Sequence, residues 1–107
     1  KKEKYFNIDY HSPFMLNVVD AKPIAKVEIP AVVHVDNTCR VQTVRKDENY
    51  DFYNLISVFN KISGVPVLLN TSFNENEPIV LDPNQAINCF VRTNMDFLVI
   101  ENWTISR

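Results

Sequence analysis

"FYNLISVFNKISGVPVLLNTSFN", residues 52–74, carries the two signals from which the fold is read. Phe52, Leu55, Ile56, Phe59 and Ile62 recur at three- and four-residue spacing, which places them on one face of a helix. The spacing predicts a helix over 49–63, with Phe52, Leu55, Phe59 and Ile62 buried. Asp47 or Asn49 stands where an N-cap belongs, and Gly64 where a left-handed C-terminal cap belongs. Val65, Val67, Leu68 and Leu69 follow at once and predict a buried strand over 65–69, so that helix and strand form one unit. The apolar run then stops at Asn70 and gives way to Thr71, Ser72, Phe73 and Asn74. Two explanations stand for this change: a turn that merely ends a strand, or a pocket that the strand supports.

Working outward, residues 1–13 read as a charged lead-in ending in a Ser12-Pro13 turn. Apolar or alternating runs predict strands near 14–19, 31–36, 39–44 and 96–101, with one or two strands closing the chain. Pro23 and Pro30 bracket a stretch that reads as a loop or sheet edge, and Asp36-Asn37-Thr38 supplies the turn of a hairpin. Asp82, Pro83 and Gln85 form a start signal for a second helix over 83–93, burying Ala86 with Cys89 or Phe90. The expected fold class is mixed α/β of the α+β kind. It comprises a partly antiparallel twisted sheet and two main helices, in a single domain over 1–107.

Composition narrows the functions. The chain has 107 residues and a formal net charge of −2, so no basic field favours nucleic acid or an anionic membrane. No apolar run approaches the roughly 20 residues that span a bilayer. Two cysteines, Cys39 and Cys89, lie far apart without metal or redox spacing and read as buried thiols of a cytoplasmic protein. A single glycine excludes the glycine-rich phosphate loops, which need several.

Few side chains remain for chemistry. His34 and Asp36 share one side of an expected strand, and Arg40 follows with Gln42 beside it, a set that suits bidentate capture of a phosphate or carboxylate. The competing explanation is a solvated hairpin whose His and Asp cap the turn. Asn70, Thr71, Ser72 and Asn74 offer amides and hydroxyls at a strand end, where α/β sheets open into crevices, or else simply cap that end. The acids of "ENEPIVLDP" match no metal-site spacing and read as a solvated loop with a helix cap. Ser72 lacks a nucleophile elbow and Cys39 a basic partner, so no catalytic nucleophile and no metal ligand set is assigned.

"SPFML", "IPAVVHVDNTCRVQTV", "FYNLISVFNKISGVPVLLNTSFN", "EPIVLDPNQAINCF" and "MDFLVIEN", in this order, resemble the C-terminal domain of the carbamoyltransferases of the nodulation-protein and antibiotic-tailoring type. The resemblance implies a YrdC-like fold that joins carbamoyl phosphate to ATP, with Mg2+ accompanying the nucleotide, as carbamoyl adenylate. It also implies a separate N-terminal, ASKHA-like, metal-binding domain that transfers the carbamoyl group to a hydroxyl. On that basis Arg40, His34, Asn70, Thr71, Ser72 and Asn74 are the expected substrate- and nucleotide-binding residues, with Ser72 and Asn70 nearest the ligand. The alternative is a non-catalytic YrdC-like module that binds nucleotide or RNA. The family commonly carries glycine at position 37 and a Lys-Gly pair near Glu75-Asn76. Its domain begins upstream with a basic stretch, so these 107 residues are expected to be a fragment, inactive alone, with a surface that meets the missing part.

Overall fold

A computed structural model describes residues 1–107, which divide into two compact units, Lys1–Leu69 and Asn70–Arg107. Three helices and two small antiparallel sheets give the expected mixture of α and β structure. The elements are β1 (Val18–Asp20), α1 (Pro23–Glu28), β2 (Thr38–Arg40), α2 (Tyr50–Ser63), α3 (Pro83–Arg92), β3 (Phe97–Ile100) and β4 (Trp103–Ser106).

In the first unit the register of two short strands sets the inside and the outside. β1 and β2 run antiparallel with Val19 opposite Cys39, and both are buried. Side chains alternate along a strand, so the neighbouring pairs Val18–Arg40 and Asp20–Thr38 turn to the opposite face. The "lead-in" segment is in fact part of the core. Tyr5 is 0% exposed, Phe6 and Ile8 are buried beside it, and Phe6 bridges Ala21 while Lys22 N–H donates to the Tyr5 carbonyl at 2.8 Å. Tyr5, Phe6, Ile8, Val19, Ala25, Ile29, Cys39 and Val41 form one cluster.

Three expectations fail here, each for a local reason. The 22–30 stretch is not a loop: Pro23 opens α1 at a position where its missing N–H and preset φ cost nothing. The 31–36 run is not a strand: Pro30–Val32 makes a 3₁₀ turn, and His34 to Thr38 closes a turn with Asn37 at φ +70°. Asp36 ties that turn, its carboxylate accepting from Thr38 N–H at 3.0 Å and from the Thr38 hydroxyl at 2.7 Å. The 65–69 run belongs to neither sheet; Val65 and Val67 lean on the core cluster, but no ladder forms.

α2 matches the expected helix closely. Asn49 accepts from Phe52 N–H at 3.1 Å, and Gly64 ends the helix at φ +78° with its N–H on the Asn60 carbonyl. The expected burial is wrong, however: no residue of α2 is buried. The stripe is real but uncovered, because nothing else in this unit packs over it.

The second unit is a helix laid on a hairpin. Asp82 accepts from Gln85 N–H at 2.9 Å, Gln85 accepts from Leu81 N–H at 3.0 Å, and Pro83 begins α3. Ala86, Cys89 and Phe90 are buried at helical spacing. Leu98 on β3 faces Ile105 on β4, and Ala86, Phe90 and Leu98 make the core together with Phe73, Val80 and Met95. Arg107 closes the C-terminal end of α3. Its guanidinium donates to the carbonyls of Phe90, Val91 and Thr93, groups that a helix end leaves without partners, and lies 5.4 Å from the Phe90 ring centre.

Gly64 has open space around its Cα, so Gly64→Ala should cost only the left-handed backbone penalty, about 1–2 kcal/mol; Gly64→Asn should cost less, as urea midpoints would show. A second test uses pH. Hydrogen bonds from Lys4 and then from the Tyr5 hydroxyl hold the Glu28 carboxyl below the usual range, and Glu28 in turn raises Lys4. The glutamate's stabilisation is present above its unfolded pKa and lost as pH falls through the lower folded value; the lysine's is lost only at strongly alkaline pH. Glu28→Gln should therefore flatten the acid side of the stability profile and leave the neutral region nearly level.

Candidate functional site

The outward face of β1 and β2 gathers the polar residues of the "HVDNTCR" stretch. Thr38 and Arg40 lie two apart on β2 and so share this face. His34 reaches Thr38 through its main-chain N–H (2.8 Å to the Thr38 carbonyl) and through Nδ1, 3.2 Å from Oγ1. The Thr38 hydroxyl and then its N–H, hydrogen-bonded to Asp36, hold the Asp36 carboxyl below the usual range. Asp36 is therefore a fixed anion that organises the turn. Arg40 is different: its side chain is exposed and joins no ion pair. Its cross-strand neighbour Val18 is apolar, and Asp20, diagonal to it on the same face, forms no ion pair with it.

A clamp behind this face was not legible in the sequence. Segment 11–13 lies against 41–43: Thr43 N–H donates to the Ser12 carbonyl (2.8 Å) and Ser12 N–H donates to Thr43 Oγ1 (2.8 Å). The Ser12 hydroxyl, buried, donates to the Val41 carbonyl, and Gln42 Nε2 donates to the Pro13 carbonyl. Thr43 Oγ1 also lies 2.6 Å from His11 Nδ1. On the other side of the ring, His11 Nε2 lies 2.7 Å from Glu48 Oε2. This Thr43–His11–Glu48 chain and the Ser12 bonds fasten the backbone just beyond Arg40. Partners about thirty residues apart leave no local pattern to find.

Asn70, Thr71, Ser72 and Asn74 belong to the second unit, His34 and Arg40 to the first. Asn70, Thr71 and Ser72 are exposed. Phe73 turns into the core and its carbonyl accepts from Val80 N–H at 3.0 Å, which anchors the loop. Asn74 is half-buried, and its side-chain amide donates to the Glu77 carbonyl at 2.9 Å, closing the 74–77 turn. One of the four residues thus has a structural task, while Thr71 and Ser72 present hydroxyls outward.

An open groove of about 600 Å³ runs along α3 and contains none of the six expected residues. Ile79, Leu81 and Val91 make it apolar, and its one cation, Arg92, is already paired with Glu77 at 2.6 Å. Burial works against ionisation of Glu77, but the main-chain N–H groups of Glu77 and Asn76, with Arg92, outweigh it and keep its carboxyl low. Burial, and then Glu77, push the neighbouring Cys89 thiol up, away from the reactive thiolate. Cys39 is raised in the same direction, by burial first and then by Asp36. Neither cysteine is poised as a nucleophile. No three His, Cys, Asp or Glu side chains come together as a metal site, and no helix is long and apolar enough to cross a membrane.

Comparison with known proteins gives one consistent result. The family described as "Carbamoyltransferase C-terminus" matches residues 1–107. The nodulation protein NolNO of Sinorhizobium fredii is 43% identical over 89% of this chain, which is 14% of the relative. The 3'-hydroxymethylcephem-O-carbamoyltransferase of Streptomyces clavuligerus is 40% identical over 94% of this chain and 19% of its own length. An uncharacterised protein of Synechocystis is 38% identical over 96% of this chain and 20% of its own length. The chain therefore spans about a fifth or less of the curated relatives it matches.

Thr43→Val should leave Ser12 N–H and His11 without their shared partner. A loss of about 1–3 kcal/mol in unfolding free energy is expected. Thr43→Ser, which keeps the oxygen, should recover most of it.

Proposed function

Because this chain belongs to the carbamoyltransferase C-terminal family, we propose that it is part of an O-carbamoyltransferase and supplies the half that activates the carbamoyl group. In this reading water first releases phosphate from carbamoyl phosphate in a YrdC-like domain; the resulting carbamate oxygen then displaces pyrophosphate from the α-phosphorus of ATP, held with its Mg2+, to give carbamoyl adenylate. A separate N-terminal domain of the same polypeptide then passes the carbamoyl group to a hydroxyl. The observation that supports it best is the Arg40 guanidinium, exposed and without an ion pair, turned outward by the Val19–Cys39 register and followed by the Ser12–Thr43 clamp. A guanidinium can pair with two oxygens of a phosphate or carbamoyl group at once.

No side chain here has to act as a nucleophile. Forming a mixed anhydride between two anions depends on holding them in line and neutralising their charge. Arg40 would do the second. Asp36 would keep the turn rigid and, as an anion, would keep phosphate to the Arg40 end of the face. In the second unit, Asn70, Thr71 and Ser72 would be the substrate- or nucleotide-binding residues that the family resemblance implies, with the Thr71 and Ser72 hydroxyls exposed. His34, tied to Thr38, would present its remaining ring nitrogen, and Asn74 would hold the loop that carries Ser72.

In the full-length parent, Arg40→Ala should lower adenylate formation by roughly 30- to 1000-fold, the equivalent of a charge-assisted bidentate contact worth about 2–4 kcal/mol. Ser72→Ala should cost about 1–2 kcal/mol of the same barrier. Thermal midpoints should barely move in either variant, since both side chains are exposed. Undiminished pyrophosphate release by Arg40→Ala would remove the anion-clamp role; a collapse in stability would make these residues structural. The 107-residue chain by itself should release no pyrophosphate from ATP and carbamoyl phosphate.

A further inference from the structure

Leu55, Val58, Phe59 and Ile62 on α2 stand at i, i+3, i+4 and i+7, which is one continuous stripe. All four are exposed, from Phe59 at 38% to Ile62 at 81%. Phe52 and Ile56, on the adjoining side, are half-covered, while Asn54, Ser57 and Lys61 occupy the far face. A capped, fourteen-residue helix with a clean apolar arc is built to pack, not to stand in water. The helix is also not a loose tail: Gly64 turns the chain directly into Val65 and Val67, which rest on the buried cluster.

We infer that this stripe is the docking face for the N-terminal remainder of the parent polypeptide, which meets it with an apolar surface of its own. The inference rests on the reading of this chain as part of a larger carbamoyltransferase. The matched region is 20% of the Synechocystis relative and 14% of NolNO, and its description places it at the C-terminus, so the greater part of such a protein precedes it. A preceding body of that size, in the same molecule, meets this face at high effective concentration. A second copy would have to compete against it. Of the two charges on the helix, Lys61 lies off the stripe and Asp51 lies in line with it in the first turn, one turn before Leu55, so the stripe from Leu55 to Ile62 is itself uncharged and suits an apolar partner better than an acidic or basic one.

The test places a thiol on the stripe of the full-length polypeptide. Ile62→Cys is labelled with a maleimide in the folded protein and in urea, with Leu55→Cys as a second variant and Val27→Cys, on α1, as the exposed comparison. Labelled sites are assigned by peptide mass, since Cys39 and Cys89 are buried. The expected result is protection of the stripe by about tenfold or more relative to the unfolded chain. A photo-cross-linker on the same thiol should join residues that precede this region. Stripe thiols that label as fast folded as in urea overturn the proposal. Cross-links to residues 70–107, or to a second copy with protection that grows with concentration, overturn it as well. Carbamoyl transfer is assayed on the same samples. Transfer without protection removes the docking face alone; protection without transfer removes the enzymatic reading and leaves the docking face.

Discussion

The pairing of Val19 with Cys39 is the constraint on which the first unit depends. Two strands of three residues have little hydrogen bonding of their own, and they hold because this pair is buried among Tyr5, Phe6, Ala25 and Val41. A slip of one residue would send Arg40 or Thr38 into that cluster and Cys39 into water. Burying a guanidinium without a partner costs far more than a short ladder returns. The register is therefore narrowly specified, and with it the outward direction of Arg40.

Polar ties then make the outward face rigid from two sides. Asp36 fixes the turn before β2 through Thr38, and the Ser12–Thr43 clamp, backed by His11 and Glu48, fixes the chain after it. The main chain that carries Arg40 is thus fastened on both sides, while its side chain stays exposed. The same face carries no nucleophile, no metal cluster and no poised thiolate.

The apolar surface shows a different balance. The second unit covers its helix with its own hairpin, and Arg107 satisfies the helix end. α2 is equally well capped but has no such cover within its unit. Its stripe has the strength of a core helix and the exposure of a surface one, a contradiction that disappears once a further part of a larger polypeptide is packed against it.

Local chemistry was enough to place α2 and α3, because their signals are short-range: Asn49 and Gly64 bracket one, Asp82, Pro83 and Gln85 open the other, and the residues involved act within a few positions of each other. The closing strand near 96–101 was legible as an apolar run, but not its pairing with β4. The β-branched runs at 31–36 and 65–69 misled, since branching favours extended backbone but a strand exists only where a neighbour completes its ladder, and Pro30, Asn37 and Gly64 bent the chain elsewhere. Tyr5 read as lead-in because the groups it meets, the Glu28 carboxylate at its hydroxyl and the Lys22 N–H at its carbonyl, lie far along the chain. His11, Ser12, Thr43 and Glu48 were invisible for that same reason. Capping, turns and helical periodicity are decided by residues within reach of one another along the backbone; burial, register and the polar clamp are decided by which distant segments displace water from each other, and that is settled only when the chain has folded.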